Sequence, residues 1–148
     1  MADRLSVDRQ YVEELIKEKI DKVDMLCLKS NGERTDIFML AFALGVNAGI
    51  RTKSKSKEGL VLESAAKGKD SVMSYIYSVA IDELRKTDEE DRIRDTDLVY
   101  GIAEEYANTG FGIIEKLVPD FSKYNEEELV FQLIEMLDEK MEEIEGYL

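Results

Sequence analysis

The amino-acid sequence predicts an all-α protein, a compact bundle of five or six helices around one buried apolar helix at about residues 36–48. Three observations support this fold class. Apolar residues recur at steps of three and four in most segments, which is the spacing of one helix face. One segment near the middle is apolar on every side, as expected of a helix that is buried all round. Proline occurs once, at Pro119, so little in the chain interrupts a helix.

The first two predicted helices differ in their apolar pattern. The first runs from about Asp8 to Leu28, with Ser6 or Asp8 as its N-cap. Its apolar stripe consists of Val12, Leu15, Ile16, Ile20, Val23 and Cys27. The second helix spans Asp36–Ala48, and residues 37–44 are all apolar. Its length and its Met, Leu and Ala content favour a helix over a central strand, and Gly49 is its predicted C-cap.

Residues 50–59, with the sequence IRTKSKSKEG, are predicted to form a loop because polar and basic residues replace the apolar pattern. The loop carries four basic residues, Arg51, Lys53, Lys55 and Lys57. The short apolar run at residues 60–62 fits either an edge strand or the start of a helix.

Four more helices are predicted in the second half of the chain. One spans about residues 71–86, and one runs from Asp95 or Thr96 to about Asn108. Gly110 ends or kinks that helix, and a short helix at residues 111–118 follows. The last helix, residues 125–147, begins with a capping box formed by Asn125 and Glu128. Its apolar stripe consists of Leu129, Val130, Leu133, Ile134, Leu137, Met141 and Ile144.

The overall composition excludes several kinds of site. The chain has 33 acidic and 20 basic residues, a net charge of −13, which disfavours phosphate binding over most of the surface and favours basic partners. It has no histidine and one cysteine, Cys27, so it lacks the residues for an internal disulfide, a thiolate zinc site or a Cys–His nucleophile pair. No leader and no apolar run near the ~20 residues of a membrane span is present. We therefore expect a single cytoplasmic domain over residues 1–148, without a cofactor, a metal or membrane contact.

Acidic residues are concentrated at the C-terminal end. Residues 126–148 hold nine acidic residues and one basic residue. Such a helix presents either a solvated face or a docking surface for a basic protein, or it mimics nucleic-acid phosphates. The candidate partner-binding residues are Glu135, Asp138, Glu139 and Glu142. Three apolar residues, Phe131, Met136 and Tyr147, lie off the main stripe, which favours a homo-oligomer.

The basic loop suggests nucleic-acid binding as an alternative. Arg51, Lys53, Lys55 and Lys57 are candidates for phosphate contacts, each displacing about one counterion. The loop has no aromatic side chain for base stacking, which disfavours single-strand binding. A helix-turn-helix with its turn at Gly45 and Val46 is also disfavoured, because Gly49 and Gly59 interrupt the recognition helix.

A Mg²⁺-dependent helical nucleotide hydrolase is the remaining alternative. Such enzymes hold Mg²⁺ with two Glu-x-x-Glu/Asp pairs on facing helices. Here Glu135 and Asp138 have this spacing, and Glu139 and Glu142 repeat it. Both pairs lie on the same predicted helix, and Lys17 stands where the first helix needs an acid, so the pattern disfavours this chemistry.

Two segments carry a family resemblance. TDIFMLAFALGVNAGIRT (Thr35–Thr52) and EEYANTGFGIIEKL (Glu104–Leu117) resemble, in the same order, the small accessory proteins encoded beside bacterial DNA phosphorothioation (Dnd) gene clusters. The resemblance implies a place near a defence system that puts sulfur into the DNA backbone, and it implies no catalytic role. The acidic terminal helix and the helix at residues 71–86 lie outside it. Its motif residues are Glu104, Glu105, Tyr106, Asn108 and Gly110.

The motif has two interpretations. In the structural one, Tyr106 and Ala107 belong to the core, and Asn108 or Gly110 adopts the left-handed conformation at a helix end. In the functional one, Glu105, Tyr106 and Asn108 contact a partner. With no enzyme signature, the sequence predicts a non-enzymatic accessory protein that binds another macromolecule, a protein in the first place.

Overall fold

A computed structural model describes residues 4–20 and 34–117 and five further helical positions, 131, 134, 135, 138 and 139. Within these residues the protein is mostly helical, with a small two-stranded antiparallel sheet. The elements in chain order are β1 (Arg4–Asp8), α1 (Tyr11–Ile20, with π-type hydrogen bonding), α2 (Arg34–Ala48), β2 (Lys57–Leu62), α3 (Glu63–Lys67), α4 (Asp70–Lys86), a 3₁₀ helix (Glu90–Arg94) and α5 (Thr96–Leu117).

The sheet corrects the all-α prediction. Ser6 and Asp8 lie in β1, where Leu5 and Val7 alternate with polar residues and bury the apolar face of the strand. Asp8 ends the strand and is also the predicted N-cap, since its Oδ1 accepts from the N–H of Gln10 at 3.3 Å where the first helix begins. Leu5 pairs with Val61 of β2, which settles the run at residues 60–62 as strand. Residues 57–59, predicted as loop, also belong to β2.

Helix α2 is the predicted buried apolar helix. Ile37, Phe38, Ala41, Phe42 and Leu44 are buried, whereas Met39, Leu40 and Ala43 are half-buried, so the helix is buried over most of its surface but not all round. The helix ends as predicted, at a residue with positive φ (71°), Gly49, whose N–H donates to the carbonyl of Gly45 at 3.0 Å. The Phe42 ring packs between two tyrosines, at centroid distances of 5.0 Å to Tyr75 and 6.3 Å to Tyr106.

Helix α5 is continuous from Thr96 to Leu117, so Gly110 does not end a helix, and the prediction of a separate helix at residues 111–118 is wrong. Gly110 and Gly45 lie where α5 crosses α2. A β-carbon at Gly110 would stand 1.6 Å from the carbonyl oxygen of Ala41, and one at Gly45 would stand 1.9 Å from that of Tyr106. Both glycines therefore permit close backbone contact, and neither Gly110 nor Asn108 has the left-handed conformation expected of a helix end.

Two short helices, α3 and the 3₁₀ helix, were not predicted, whereas the other helices agree with the prediction where they are described. Helix α4 matches the prediction for residues 71–86. The predicted first helix is present to Ile20, and its continuation to Leu28, including Cys27, lies outside the described residues. The last predicted helix is described only at its five positions, all of them helical. None of the described helices combines the length and apolar composition that crossing a membrane requires.

Candidate functional site

The basic loop and the family motif lie against each other. After Gly49 the chain runs along α5 without regular secondary structure, and the Thr52 N–H donates to the carbonyl of Glu105 at 3.0 Å. Thr109 donates through its hydroxyl to the carbonyl of Ile50 at 2.8 Å. The sequence predicted two separate sites, one at the basic residues 51–57 and one at the motif residues 104–110. In the structure these residues form one site.

Asn108 joins three segments at the centre of this site. Its side chain is only 1% exposed. The Nδ2 group donates to the carbonyl of Thr52 at 2.9 Å and to Oγ of Ser54 at 2.8 Å, and Oδ1 accepts from the N–H of Asp8 at 2.8 Å. A single amide thus satisfies donors and acceptors of both the loop and β1, which an apolar residue of the same size does not do.

Glu104 makes a second connection to β1. Its Oε2 accepts from the N–H of Ser6 at 2.5 Å, and its Oε1 pairs with Nζ of Lys57 at 3.0 Å. Burial raises the pKa of this carboxyl, although the Ser6 N–H and the Lys57 ammonium act in the opposite direction. Burial therefore disfavours the ionised form of Glu104, whereas the Ser6 N–H and the Lys57 ammonium stabilise that form.

The i, i+4 spacing of Glu104 and Asn108 matches the strand that they bind. Four helical residues rise about 6 Å, and two strand residues about 6.6 Å. The two side chains can therefore bind Ser6 and Asp8, which are two residues apart on the side of β1 away from β2. They cover a strand edge that otherwise offers free N–H groups to another chain.

A second polar network fixes Arg51 between α4 and α5. Its guanidinium lies 3.3 Å from a carboxylate oxygen of Glu83 and 3.4 Å from one of Glu105. Glu83 also accepts from Lys86 at 2.8 Å and from the hydroxyl of Tyr106. Burial opposes ionisation of Glu83, but the hydrogen bonds from Lys86, Tyr106 and Arg51 outweigh it and lower its pKa. Burial and the Glu83 carboxylate together raise the pKa of Tyr106 to about 12.

The four basic residues of the loop thus separate into two pairs. Arg51 and Lys57 are bound to carboxylates. Lys53 and Lys55 are exposed and, in the described part of the chain, make no ion pair. A cavity of about 200 Å³ lies beside Lys53 and is lined by Lys53, Ser54, Lys57, Glu104, Glu105 and Asn108. The loop therefore has two lysine side chains without an ion pair and two cations whose ion pairs hold it in place.

The acidic terminal helix is described at three of the four predicted partner-binding residues. Glu135, Asp138 and Glu139 are all helical and exposed, and Glu142 lies outside the described residues. Two large apolar side chains accompany them, Phe131 at 66% and Ile134 at 49% exposure. Phe131 was predicted to lie off the apolar stripe, whereas Ile134 was predicted to lie on it. This helix therefore presents a mixed apolar and acidic surface.

Several residues of the site were missed by the sequence analysis. Glu83, Thr52, Thr109, Asp8 and Ser6 contribute through contacts between residues up to 100 positions apart. No local pattern signals such contacts. Among the described residues no group of three or more acidic or cysteine side chains is arranged to hold a metal ion.

Neither the protein-family models nor the curated proteins nor the solved structures give a match to this chain.

Proposed function

We propose that this chain is a non-enzymatic interaction protein that binds another macromolecule, in the first place a protein with a basic surface, through its acidic terminal helix. The resemblance of residues 35–52 and 104–117 to the accessory proteins of DNA phosphorothioation clusters supports a setting in a DNA-modification defence system.

The exposed face of the terminal helix supports this proposal. Phe131, Ile134, Glu135 and Asp138 follow one another at steps of three, one and three, which brings them to one side of a helix. Large apolar side chains in water mark interaction surfaces when they cluster. The apolar pair would supply affinity by desolvation, and the carboxylates would select a basic partner and accelerate its association.

A comparative pull-down from the native host, identified by mass spectrometry, tests the proposal. The bait is the full chain, and the test variant combines Phe131→Ala with Glu135→Lys and Asp138→Lys. A matched control places Glu90→Lys and Asp91→Lys on the exposed 3₁₀ helix. We expect one partner that the wild type and the control retain and the test variant loses. Equal recovery by all three baits would contradict the proposal.

Nucleic-acid binding through the basic loop is a second candidate function. It is favoured by the exposure of Lys53 and Lys55 on a loop whose backbone is already fixed. Its direct test is fluorescence anisotropy of a labelled DNA duplex titrated with the full chain, and a wild type that leaves the duplex free would exclude it. The Mg²⁺-dependent hydrolase has no observation to favour it among the described residues.

A further inference from the structure

The loop at residues 50–56 is held by its backbone and by residues other than its exposed lysines. The carbonyls of Ile50 and Thr52 accept from Thr109 and Asn108. The N–H of Lys55 donates to a carboxylate oxygen of Asp8 at 2.8 Å, and the carbonyl of Ser56 accepts from the N–H of Arg9 at 2.7 Å. The path of the loop is therefore set without any contact from the Lys53 or Lys55 side chains.

Three exposed cations that make no ion pair among the described residues lie on or beside this loop, next to the Asp8 carboxylate that binds the Lys55 N–H. Lys53 and Lys55 are exposed and two residues apart, so their α-carbons lie at most roughly 7 Å from each other. Arg9 is exposed directly beside Ser56. Arg51 and Lys57, by contrast, are neutralised by Glu83, Glu105 and Glu104. We call these three exposed cations, which are neighbours along the loop and the end of β1, the Arg9–Lys55 row.

We propose that the Arg9–Lys55 row (Arg9, Lys53 and Lys55) contacts the sugar–phosphate backbone of duplex nucleic acid, and that Asn108 and Thr109 are positioning residues that hold the row in register. This inference rests on the second candidate function and names its partner and its positioning residues. Cations carried by separate residues of a fixed loop suit a line of phosphates, whereas a single small anion needs several donors that converge on one point. The loop has no aromatic side chain, so stacking on unpaired bases is not available to it.

The net charge of the chain limits this contact to short range. The acidic residues repel a polyanion, but charges farther away than about 10 Å are largely screened at 0.1 M salt. A lysine or arginine in direct contact with a phosphate is screened much less by salt than the distant acidic residues are, so its attraction is retained. The affinity therefore depends on presenting the cations together, and a loop that must be ordered during binding loses part of that affinity to conformational entropy.

Two classes of variant separate charge from positioning. Lys53→Ala with Lys55→Ala removes two phosphate contacts and leaves the backbone bonds of the loop intact. Asn108→Ala and, as an independent variant, Thr109→Val keep every cation but release the loop. Lys67→Ala with Lys116→Ala is the control, because it removes two exposed lysines from other elements.

The measurement is duplex affinity by fluorescence anisotropy between about 50 and 200 mM salt, the range in which counterion release is read as a slope of log affinity against log salt. Each phosphate contact in duplex DNA contributes about −0.9 to that slope. We expect the Lys53/Lys55 variant to bind at least tenfold more weakly and to lose about 1.8 from the slope. The two positioning variants are expected to bind three- to tenfold more weakly with the slope unchanged, and the control is expected to match the wild type.

Circular dichroism and thermal unfolding establish whether each variant is folded. If Asn108→Ala does not fold, Thr109→Val alone tests the positioning role. If the lysine variant loses affinity while both positioning variants bind like the wild type, the role of Asn108 and Thr109 is wrong and the second candidate function stands. If the wild type does not bind the duplex, or if the control loses as much affinity as the Lys53/Lys55 variant, the inference fails together with that candidate function.

Discussion

The carbonyl oxygen of Ala41 lies directly against the α-carbon of Gly110, where a β-carbon would be 1.6 Å away. Both atoms belong to the backbones of packed helices, so neither can move without shifting α2 against α5. The two segments that carry the family resemblance therefore meet at a close backbone contact.

Replacing Gly110 by alanine is expected to destabilise the protein strongly. Overpacking of a core usually costs about 1–3 kcal/mol, and a clash with backbone cannot be relieved by a side-chain rotation, so we expect at least about 3 kcal/mol. Urea unfolding measures the change. Gly101→Ala on the same helix is the control, since nothing lies within 4 Å of its added β-carbon, and we expect it to be neutral or to stabilise by about 0.5–1 kcal/mol. Equal effects of the two substitutions would contradict the helix crossing.

Asn108→Ala is expected to lower the free energy of unfolding by about 1–3 kcal/mol, because the Asp8 N–H and the Thr52 carbonyl lose their partner in a buried site. Hydrogen exchange is the sharper measurement, since the amide of Asp8 should exchange faster in the variant. Asn47→Ala, at an exposed position near the end of α2, is the control and should change stability by less than about 0.5 kcal/mol. Unchanged exchange at Asp8 would show that the amide bond to β1 is absent in solution.

Tyr106 is expected to make stability fall steeply at high pH. Its pKa rises from 10.0 to about 12 on folding, through burial and the Glu83 carboxylate. The neutral phenol contributes fully below pH 10, and this contribution is lost as the pH rises towards 12, because the unfolded chain ionises first. Tyr106→Phe should show a smaller decline in the free energy of unfolding over this range, and Glu83→Gln an intermediate one. A decline as steep in Tyr106→Phe as in the wild type would exclude this tyrosine as its source.

Glu104 is expected to oppose folding increasingly as its carboxyl ionises. Burial raises its pKa above the ordinary value of 4.5, so the folded protein retains a proton that the unfolded chain has already released. The stability of the wild type relative to Glu104→Gln should therefore decrease as the pH rises from about 4.5 through the raised pKa, and then level off. Chemical unfolding across pH 4–8 provides the comparison. A relative stability that increases over this interval would mean that the Lys57 pair outweighs burial.

The helical part of the fold was largely predictable because its signals are local. The stripe of α4 and the apolar run of α2 each lie within one segment, so spacing alone identifies them. The small sheet was missed since β1 has only two buried apolar residues, Leu5 and Val7, and its partner strand begins almost 50 residues later. The pattern at Gly110 was misread because a glycine that ends a helix and one that admits a neighbouring backbone look the same in sequence.

The candidate site was predictable only in its parts. The sequence indicated the basic loop and the motif separately. It did not indicate that Arg51 is paired with Glu83, 32 residues away. Likewise, nothing local indicated that Asn108 binds the backbone of the loop and not a partner. Local patterns identify which residues are unusual, whereas the assignment of structural and exposed roles depends on long-range contacts.

Because hydrogen bonds to carbonyls and amides define the course of residues 50–56, the amino acids at positions 53 and 55 are free to vary without altering the path of the main chain. Replacing either lysine with a neutral or acidic residue would therefore change the charge of this surface on an unchanged framework.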